Sequence, residues 1–310
     1  MSSLSSPEAT PGALAADARR AATFASHAAA VRRRERAAQW HLLFLAVVVL
    51  GPLVVYPLIR LVLLSLTGPH GGLGLQAYGT FFGNPETRGV VGTTLWVLFA
   101  SAGLASLLGV ALASMLFFKP FPGARLVTRF LELFVAFPSF LVAFTLIFLY
   151  GSQGSVSIGL QRLFHLNTPP LDFLFGVGGV ILAEVVFYAP FVVRPTLASF
   201  ATLDMRLIEA ARSLGANGWM VAFKVILPLA WPGIAAGTIL CFLLTLNEFG
   251  ILLVLGSAHL ITLPVAIYSS ATVDLDLPTA AAGAVVMLAM SLSLYALYRQ
   301  VNRRKVKGAR

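Results

Sequence analysis

Charged residues and cysteine are scarce in this 310-residue chain. Asp, Glu, Lys and Arg make up 11% of it, whereas 58% is hydrophobic and the mean hydropathy is +0.87. A soluble globular protein carries about 25% charged residues, so that class is excluded, and a disordered chain would have far fewer apolar residues. The single cysteine, Cys241, cannot form an intrachain disulfide or a multi-thiolate metal site. We therefore expect lipid to surround most of the chain.

Signatures of catalysis are also missing from the sequence. No glycine-rich loop ends in Gly-Lys-Ser or Gly-Lys-Thr, so the chain is not expected to hydrolyse ATP. No Gly-x-Ser-x-Gly elbow supports an intramembrane hydrolase. The five histidines are isolated and lack the spacing of metal ligands. We expect no enzyme activity, no catalytic residue, no metal and no cofactor.

Long apolar runs dominate what is present. A helix that crosses about 30 Å of hydrocarbon at about 1.5 Å per residue needs roughly 20 apolar residues. Six runs meet this length, and they predict an all-α polytopic membrane protein with six transmembrane helices. The runs are Leu42–Leu66, Val90–Phe118, Phe130–Tyr150, Leu174–Phe200, Leu229–Val254 and Thr279–Leu297.

The basic residues predict the orientation of these spans. The formal net charge is +10, but the 22 Lys and Arg occur in short clusters rather than on one continuous face, so we expect no nucleic-acid partner. All of them except Arg60, Arg88, Arg162 and Arg194 lie in the two tails or in the loops after the second and fourth spans. Cytoplasmic loops carry such an excess. Both termini are therefore predicted to be cytoplasmic.

The predicted cytoplasmic loop 203–228 reads as a helix, a break and a second helix. Asp204 is a candidate N-cap, since its carboxylate can accept from free backbone N–H groups of the first turn. Gly215 can adopt the left-handed conformation that ends a helix. Pro228 is expected to end the second helix, because proline lacks the N–H that an interior position needs.

The first of these helices has an apolar and a polar stripe. Ile208, Ala211 and Leu214 recur at three-residue steps and are expected to share an apolar stripe, which needs a surface to lie against. Ala210 and Ala211 are small enough to let another protein approach the backbone closely. Glu209 beside them offers a carboxylate to a basic residue of that partner.

The spacing in this loop resembles a known sequence signature. Glu209-Ala210-Ala211, three residues, Gly215, nine residues and then Val225-x-Leu227-Pro228 is similar to the EAA loop of inner-membrane permease subunits of binding-protein-dependent ABC importers. The resemblance implies the type I importer permease fold in a bacterial inner membrane, with the loop seated on an ATPase subunit. The residues that it implies for ATPase coupling are Glu209, Ala210, Ala211, Gly215, Leu227 and Pro228.

The same resemblance implies partners and a domain plan. The expected partners are two ABC ATPase subunits, a second permease that is either the same chain or a paralogue, a periplasmic or lipid-anchored solute-binding protein, and membrane lipid. Residues 90–299 would be the five-helix core that carries loop 203–228, with 41–66 as an added transmembrane helix. Residues 1–40 and 300–310 would be basic tails, and the first either binds anionic headgroups or only fixes the topology.

Three polar residues within the apolar runs are candidates for the translocation path. Glu184 and Glu248 each lie about 28 Å from the inner face if their helices are straight. An ionisable group within a membrane is expensive and is expected to face a partner, water or substrate. We predict that Glu184, Asn247 and Glu248 line the path and favour a solute with an ammonium group. The alternative is that each carboxylate meets water near the outer interface.

The solute is indicated by residues 244–250 and 261–264. They resemble the branch of these permeases that serves polyamines, ferric iron, sulfate and phosphonates, and within it the 2-aminoethylphosphonate permeases. Polyamine, ferric iron or another small charged solute stays open. A different class, the ion-coupled secondary transporter, would be expected to show repeat symmetry and paired intramembrane charges.

Overall fold

In the computed structural model, the described residues are 40, 41, 44, 47–68, 72–168, 171, 173–256 and 260–308, of which 301–308 are described by their backbone alone. The predicted N-terminal basic tail lies outside this part of the chain except for its last residue, whereas the predicted C-terminal tail lies inside it up to residue 308. The chain divides into two units, Met1–Arg60 and Leu61–Arg310. Within the described residues both units are helical, and the one β-contact is an isolated bridge between Thr67 and Leu73.

The helices are numbered here in chain order. They are α1 Val47–Ser65, α2 Gln76–Gly83, α3 Pro85–Phe118, α4 Ala124–Phe134, α5 Ser139–Tyr150, α6 Ser155–Phe164, α7 Val177–Phe200, α8 Met205–Ser213, α9 Gly218–Leu246, α10 Gly250–Leu255, α11 Leu263–Thr272 and α12 Leu277–Gly308. Short π-helical turns lie inside α1 at Gly51–Val55 and inside α9 at Ala222–Ile226.

Among the described residues, six stretches of helix are long and apolar enough to cross a membrane, which confirms the predicted number of spans. They are α1, α3, α5 together with α6, α7, α9, and Leu277–Gln300 of α12. Large apolar side chains point outward from them, with Leu107 70% and Phe148 73% exposed. Such surfaces are expected where the surrounding solvent is hydrocarbon.

The third and fifth predicted spans differ most from the structure in their bounds. The third begins at Ser139 rather than Phe130, because Pro138 is extended and Ala124–Phe134 forms a separate amphipathic helix. The fifth begins earlier, at Gly218, and ends at Leu246. The residues that follow it, 247–249, leave the helix before α10 begins.

The expectation that Pro228 ends a helix is wrong, because α9 continues through it. The π turn Ala222–Ile226 ends two residues before the proline, and the N–H of Leu227 bonds to the carbonyl five residues earlier. The wider turn accommodates a ring that would clash with the carbonyl four residues back in a regular α-helix. Pro57 follows the π turn Gly51–Val55 at the same offset.

The core of the second unit forms around α7, which packs mainly against α3 and α9. Two glycines allow the close approach. A Cβ at Gly109 would lie 2.7 Å from Val192 Cβ and 2.8 Å from the carbonyl oxygen of Ala189. A Cβ at Gly233 would lie 2.4 Å from Ser199 Cβ. Small residues at helix contacts are the usual means of packing within a membrane, where no hydrophobic effect draws helices together.

Candidate coupling and translocation site

The loop between α7 and α9 is a capped helical hairpin. Asp204 Oδ1 accepts a hydrogen bond of 3.0 Å from the backbone N–H of Arg206, which confirms Asp204 as the N-cap of α8. Asn217 Oδ1 accepts one of 2.9 Å from the N–H of Met220 and caps the start of α9. Side-chain caps satisfy donors that a helix start leaves free, so both arms of the hairpin begin at fixed residues.

The turn of the hairpin depends on Gly215. Its φ of +86° places it in the left-handed region, as its sequence position predicts. The N–H of Gly215 donates to the carbonyl of Arg212 at 2.9 Å, and the N–H of Ala216 donates to that of Ala211 at 3.0 Å. This pair of bonds is the Schellman motif, which closes the C-terminus of α8.

The exposed side of α8 presents Glu209 and Ala210, whereas Ala211 is half-buried and Ile208 is only 4% exposed. Within this chain, Glu209 and Ala210 are therefore left accessible to another protein. Leu214 of the predicted apolar stripe does not share the buried position of Ile208, since it is 89% exposed. Leu214 is the C-cap of α8, where the chain has already left regular helical geometry.

Exposed apolar side chains continue onto the second arm of the hairpin. Trp219 is 74% and Phe223 55% exposed, and their rings stack at a centroid distance of 5.2 Å. Sequence reasoning missed Phe223, although its position four residues after Trp219 puts both on one helix face. Both rings lie in the first turns of α9, at the hairpin end of the fifth span, and exposed aromatic groups in such a place are typical of protein-binding surfaces and of the membrane–water interface.

The hairpin is packed onto the spans at its base. Leu227 contacts a buried cluster that contains Phe200 at the end of α7 and Ala230 in α9, while Pro228 is exposed. The Phe118 ring at the end of α3 lies 5.0 Å from that of Phe200. A force on the hairpin would therefore reach three spanning helices through packed side chains.

Glu248 lies in the break between α9 and α10 and is 5% exposed. Its Oε1 accepts hydrogen bonds from Ser139 Oγ at 2.9 Å and from the N–H of Ile251 at 2.8 Å. Its Oε2 accepts one from the Tyr188 hydroxyl. The carboxylate thus joins α5, α7 and α10, and it supplies an acceptor at the N-terminal end of α10. Buried charges need such partners.

Glu184 is fully buried in α7 and has a different environment. Neither of its carboxyl oxygens has a hydrogen-bond partner among the described residues, and the nearby hydroxyl of Ser101 is also without one. Tyr188 lies one helical turn further along α7 and bonds Glu248. Glu184 and Glu248 therefore lie at similar heights in the helix bundle, as their sequence distances from the loop predict.

Asn247 is the exposed member of the three predicted path residues. Its Nδ2 donates to the carbonyl of Leu243 at 2.7 Å and to Ser291 Oγ of α12 at 3.3 Å. The structure thus exposes the amide of Asn247 and buries both carboxyl groups. Sequence reasoning missed Tyr188 and Ser139, and only the position of Tyr188, four residues after Glu184, could have pointed to either.

The described residues contain no group of three or more His, Cys, Asp or Glu that could hold a metal ion. The acidic pair is therefore not part of a larger ligand cluster within that part of the chain. What the arrangement offers chemically is two buried carboxyl groups and one exposed amide at the point where a spanning helix is interrupted. Interrupted helices of this kind form ion and substrate sites in transporters.

Comparison with known proteins identifies the family. Residues 105–307 match the model of the family described as "Binding-protein-dependent transport system inner membrane component". The chain therefore belongs to this family, as a multi-pass permease subunit of an ABC importer in the inner membrane.

Two curated relatives span most of the chain. A permease of Salmonella choleraesuis, provisionally named as the 2-aminoethylphosphonate transport system permease protein PhnU, is 39% identical over 257 residues, which cover 83% of this chain and 90% of the relative. The spermidine/putrescine transport system permease protein PotC of Escherichia coli K12 is 27% identical over 257 residues, covering 81% of this chain and 90% of PotC.

A solved bacterial ABC transporter involved in the import of the acidic polysaccharide alginate has the same fold. It aligns with a TM-score of 0.73 at 17% identity, over 86% of this chain and 94% of that chain. A second crystal structure, of the alginate ABC transporter with its pentasaccharide-bound periplasmic protein, aligns with a TM-score of 0.72 at 18% identity, over the same shares of each chain. These likenesses support the type I importer permease fold that the loop resemblance implies.

Proposed function

We propose that this permease imports 2-aminoethylphosphonate. The observation that carries the proposal is the 39% identity with the Salmonella relative of that name, which extends over 83% of the chain rather than over one motif. The resemblance of residues 244–250 and 261–264 to this branch supports the same solute. PotC, which is named for polyamines, is less similar over nearly the same length.

The hairpin of α8 and the start of α9 is proposed to couple ATP hydrolysis to transport. Glu209 and Ala210 are exposed for docking, Gly215 shapes the turn, and Leu227 joins the hairpin to the spans. Ala211 and Pro228 complete the set of coupling residues that the loop resemblance implies. The chain itself is proposed to have no ATPase site, because its sequence has no phosphate-binding loop.

The partners follow from this role. We expect two ATPase subunits on the hairpin side, a second permease, and a solute-binding protein on the opposite side. The alginate ABC transporter was solved in complex with a periplasmic protein, which supports the last of these partners. Both termini are proposed to lie on the cytoplasmic side. The contact between Phe118 and Phe200 supports this orientation, because it places the basic loop that follows α3 at the hairpin end.

The helix break beside α10 is proposed to belong to the translocation path. Asn247 would face the solute, while Glu248 and Glu184 would supply the negative charge that favours an ammonium group. Glu184 is the more direct test of this idea, since Glu248 also holds three hydrogen bonds. We expect Glu184→Gln to reduce uptake without disturbing assembly; unchanged uptake would remove Glu184 from the path.

The experiment for the whole proposal is uptake into proteoliposomes. The chain is reconstituted with its ATPase subunits and binding protein, and radiolabelled 2-aminoethylphosphonate is added with or without ATP. We expect ATP-dependent uptake that excess spermidine or sulfate does not inhibit. Uptake driven by an ion gradient without ATPase subunits would instead assign the chain to secondary transport.

Coupling is tested with a matched pair of charge reversals. Glu209→Lys changes the hairpin, whereas Glu132→Lys reverses an exposed charge in α4, outside it. We expect the ATPase subunits to co-purify with the Glu132 variant and not with the Glu209 variant. Equal co-purification would show that docking does not use Glu209.

A further inference from the structure

A pocket of about 350 Å³ opens at one end of the second unit, between α2, the start of α3, α11 and the start of α12. This end is opposite to the hairpin. The far end of α3, at Phe118, packs on Phe200 next to the hairpin, and α3 runs about 48 Å from Glu86 to Phe118. None of the coupling or path residues lines the pocket, so it is a separate feature of the molecule.

The floor of this outer pocket is apolar and tightly packed. Phe81 is 4% exposed, and Val90 and Ala280 are also buried. The Phe81 ring lies against Gly283 of α12, where a Cβ would be 2.9 Å from the ring carbon Cε2. An aromatic ring is thus held in place at the base of the cavity.

The rim of the outer pocket is acidic. Glu86 comes from the first turn of α3 and Asp274 from the turn after α11, so the two exposed carboxylates belong to different walls. No Lys or Arg lines the pocket, and within the described ranges neither carboxylate forms an ion pair. Its remaining polar lining includes the hydroxyls of Ser269, Ser270 and Thr279.

Hydrogen bonds fix the two walls relative to each other. Thr94 Oγ1 of α3 accepts from the N–H of Leu263 at 2.8 Å, which attaches the start of α11 to α3. The N–H of Asp274 donates to the carbonyl of Ser269 at 3.1 Å and holds the turn after α11. The acidic rim is therefore built onto packed helices rather than onto a free loop.

We propose that the outer pocket binds the ammonium end of a small organic cation, with the alkyl part on Phe81 and the ammonium between Glu86 and Asp274. Carboxylates and an aromatic face both attract such a group, and the volume suits a small molecule. An anion would find no basic partner. A hard divalent ion prefers about six or more oxygen ligands or retained waters, and the apolar floor cannot supply them.

This inference goes beyond the proposed function and does not depend on its solute. 2-Aminoethylphosphonate carries an ammonium group and would fit the pocket with its phosphonate directed outward, away from the carboxylates. The test below uses a simple amine and needs neither ATP nor transport. A failure here would therefore leave the solute proposal unaffected, and a failed uptake assay would leave the pocket unaffected.

The native cysteine makes thiol labelling a clean test. Cys241 is the only cysteine and is fully buried, so the purified full-length chain offers a low background. Ser270→Cys places a thiol in the pocket, and Val273→Cys places one on the same turn, 72% exposed and outside the lining. Each variant is treated with a methanethiosulfonate that carries either an ammonium or a sulfonate group, and the two labelling rates are compared.

We expect the ratio of cationic to anionic labelling to be about tenfold higher at Ser270→Cys than at Val273→Cys, since an acidic cleft concentrates cations. Adding Glu86→Gln with Asp274→Asn should abolish the difference. Adding Asp276→Asn should preserve it, because Asp276 does not line the pocket and Asn remains a good cap for α12. n-Propylammonium should protect Ser270→Cys from labelling, and ethylphosphonate should not.

Three results would overturn the proposal. Equal labelling ratios at the two thiols would show that the pocket does not attract cations. Protection by Mg²⁺ but not by n-propylammonium would make it a metal site. Protection by the binding protein alone would make it a docking surface. Protection is measured on the Ser270→Cys variant, which keeps Glu86 and Asp274. The test therefore does not depend on whether the Glu86→Gln and Asp274→Asn variant folds.

Discussion

Replacing Gly215 by alanine tests the coupling hairpin most directly. With φ at +86°, an L-residue at this position costs about 1–2 kcal/mol relative to glycine. Nothing lies within 4 Å of the added Cβ, so no clash contributes to the cost. The change therefore acts on backbone conformation alone, at the residue whose N–H helps to close α8.

A matched control is available three residues further along the hairpin. Gly218 also has nothing within 4 Å of an added Cβ, but its φ is not positive and it begins α9. Gly218→Ala is expected to be neutral or slightly stabilising. Gly215→Asn should fall between the two alanine variants, because asparagine tolerates the left-handed region better than alanine does.

The assay is the affinity of the ATPase subunits for the reconstituted permease, measured beside ATP-dependent uptake. A cost of 1–2 kcal/mol corresponds to about a 5–30-fold change in an equilibrium constant. This fold-change is the largest loss of ATPase-subunit affinity expected for Gly215→Ala. It applies if the alanine destabilises the docked hairpin and leaves the undocked hairpin unaffected. If Gly215→Ala and Gly218→Ala behave alike in both measurements, the turn geometry does not control docking and the reasoning fails.

Two further predictions concern stability, each checked by thermal unfolding of the purified chain in detergent. Gly109→Ala should destabilise by about 1–3 kcal/mol through overpacking, and Val192→Ala should not rescue it, because Val192 Cβ itself would be 2.7 Å away. Gly103→Ala in the same helix has free space and should be nearly neutral, so equal losses would contradict the close helix approach. Glu248→Ala should leave three donors without an acceptor, at about 1–3 kcal/mol for each one that stays buried. Ser139→Ala removes only one neutral donor and should cost about 1 kcal/mol; a larger loss than that of Glu248→Ala would refute the assigned role of the carboxylate.

The behaviour of the helices at prolines and at interruptions could not be predicted from the sequence. Pro228 was expected to end a helix, yet a preceding π turn carries the helix through it. Residues 247–249 interrupt a run that is otherwise apolar, and the polar pair Asn247 and Glu248 at this point was interpreted as lining the path rather than as a break in the helix. Whether a backbone bends or continues at such points depends on which neighbouring groups satisfy the freed hydrogen bonds, and those groups come from other helices.

The outward position of Leu214 follows from the local turn that ends α8. Its three-residue spacing from Ala211 is correct for a regular helix, but the Schellman turn redirects the chain at the C-cap. Helical periodicity holds only as far as the helix does. An exposed leucine on the proposed docking hairpin thus became visible only in the structure.

The sequence by itself determined the six spans, the cap at Asp204 and the left-handed turn at Gly215. Each of these depends on local chemistry: the transfer of apolar side chains into lipid, a side chain that reaches its own backbone, or the freedom of a residue without a Cβ. The tertiary structure alone decided the contact of Glu248 with Ser139, 109 residues earlier, and the meeting of Glu86 with Asp274 across one pocket. Such pairs depend on how helices pack, and within a membrane that packing follows from surface shape along whole helices, which local sequence patterns do not encode.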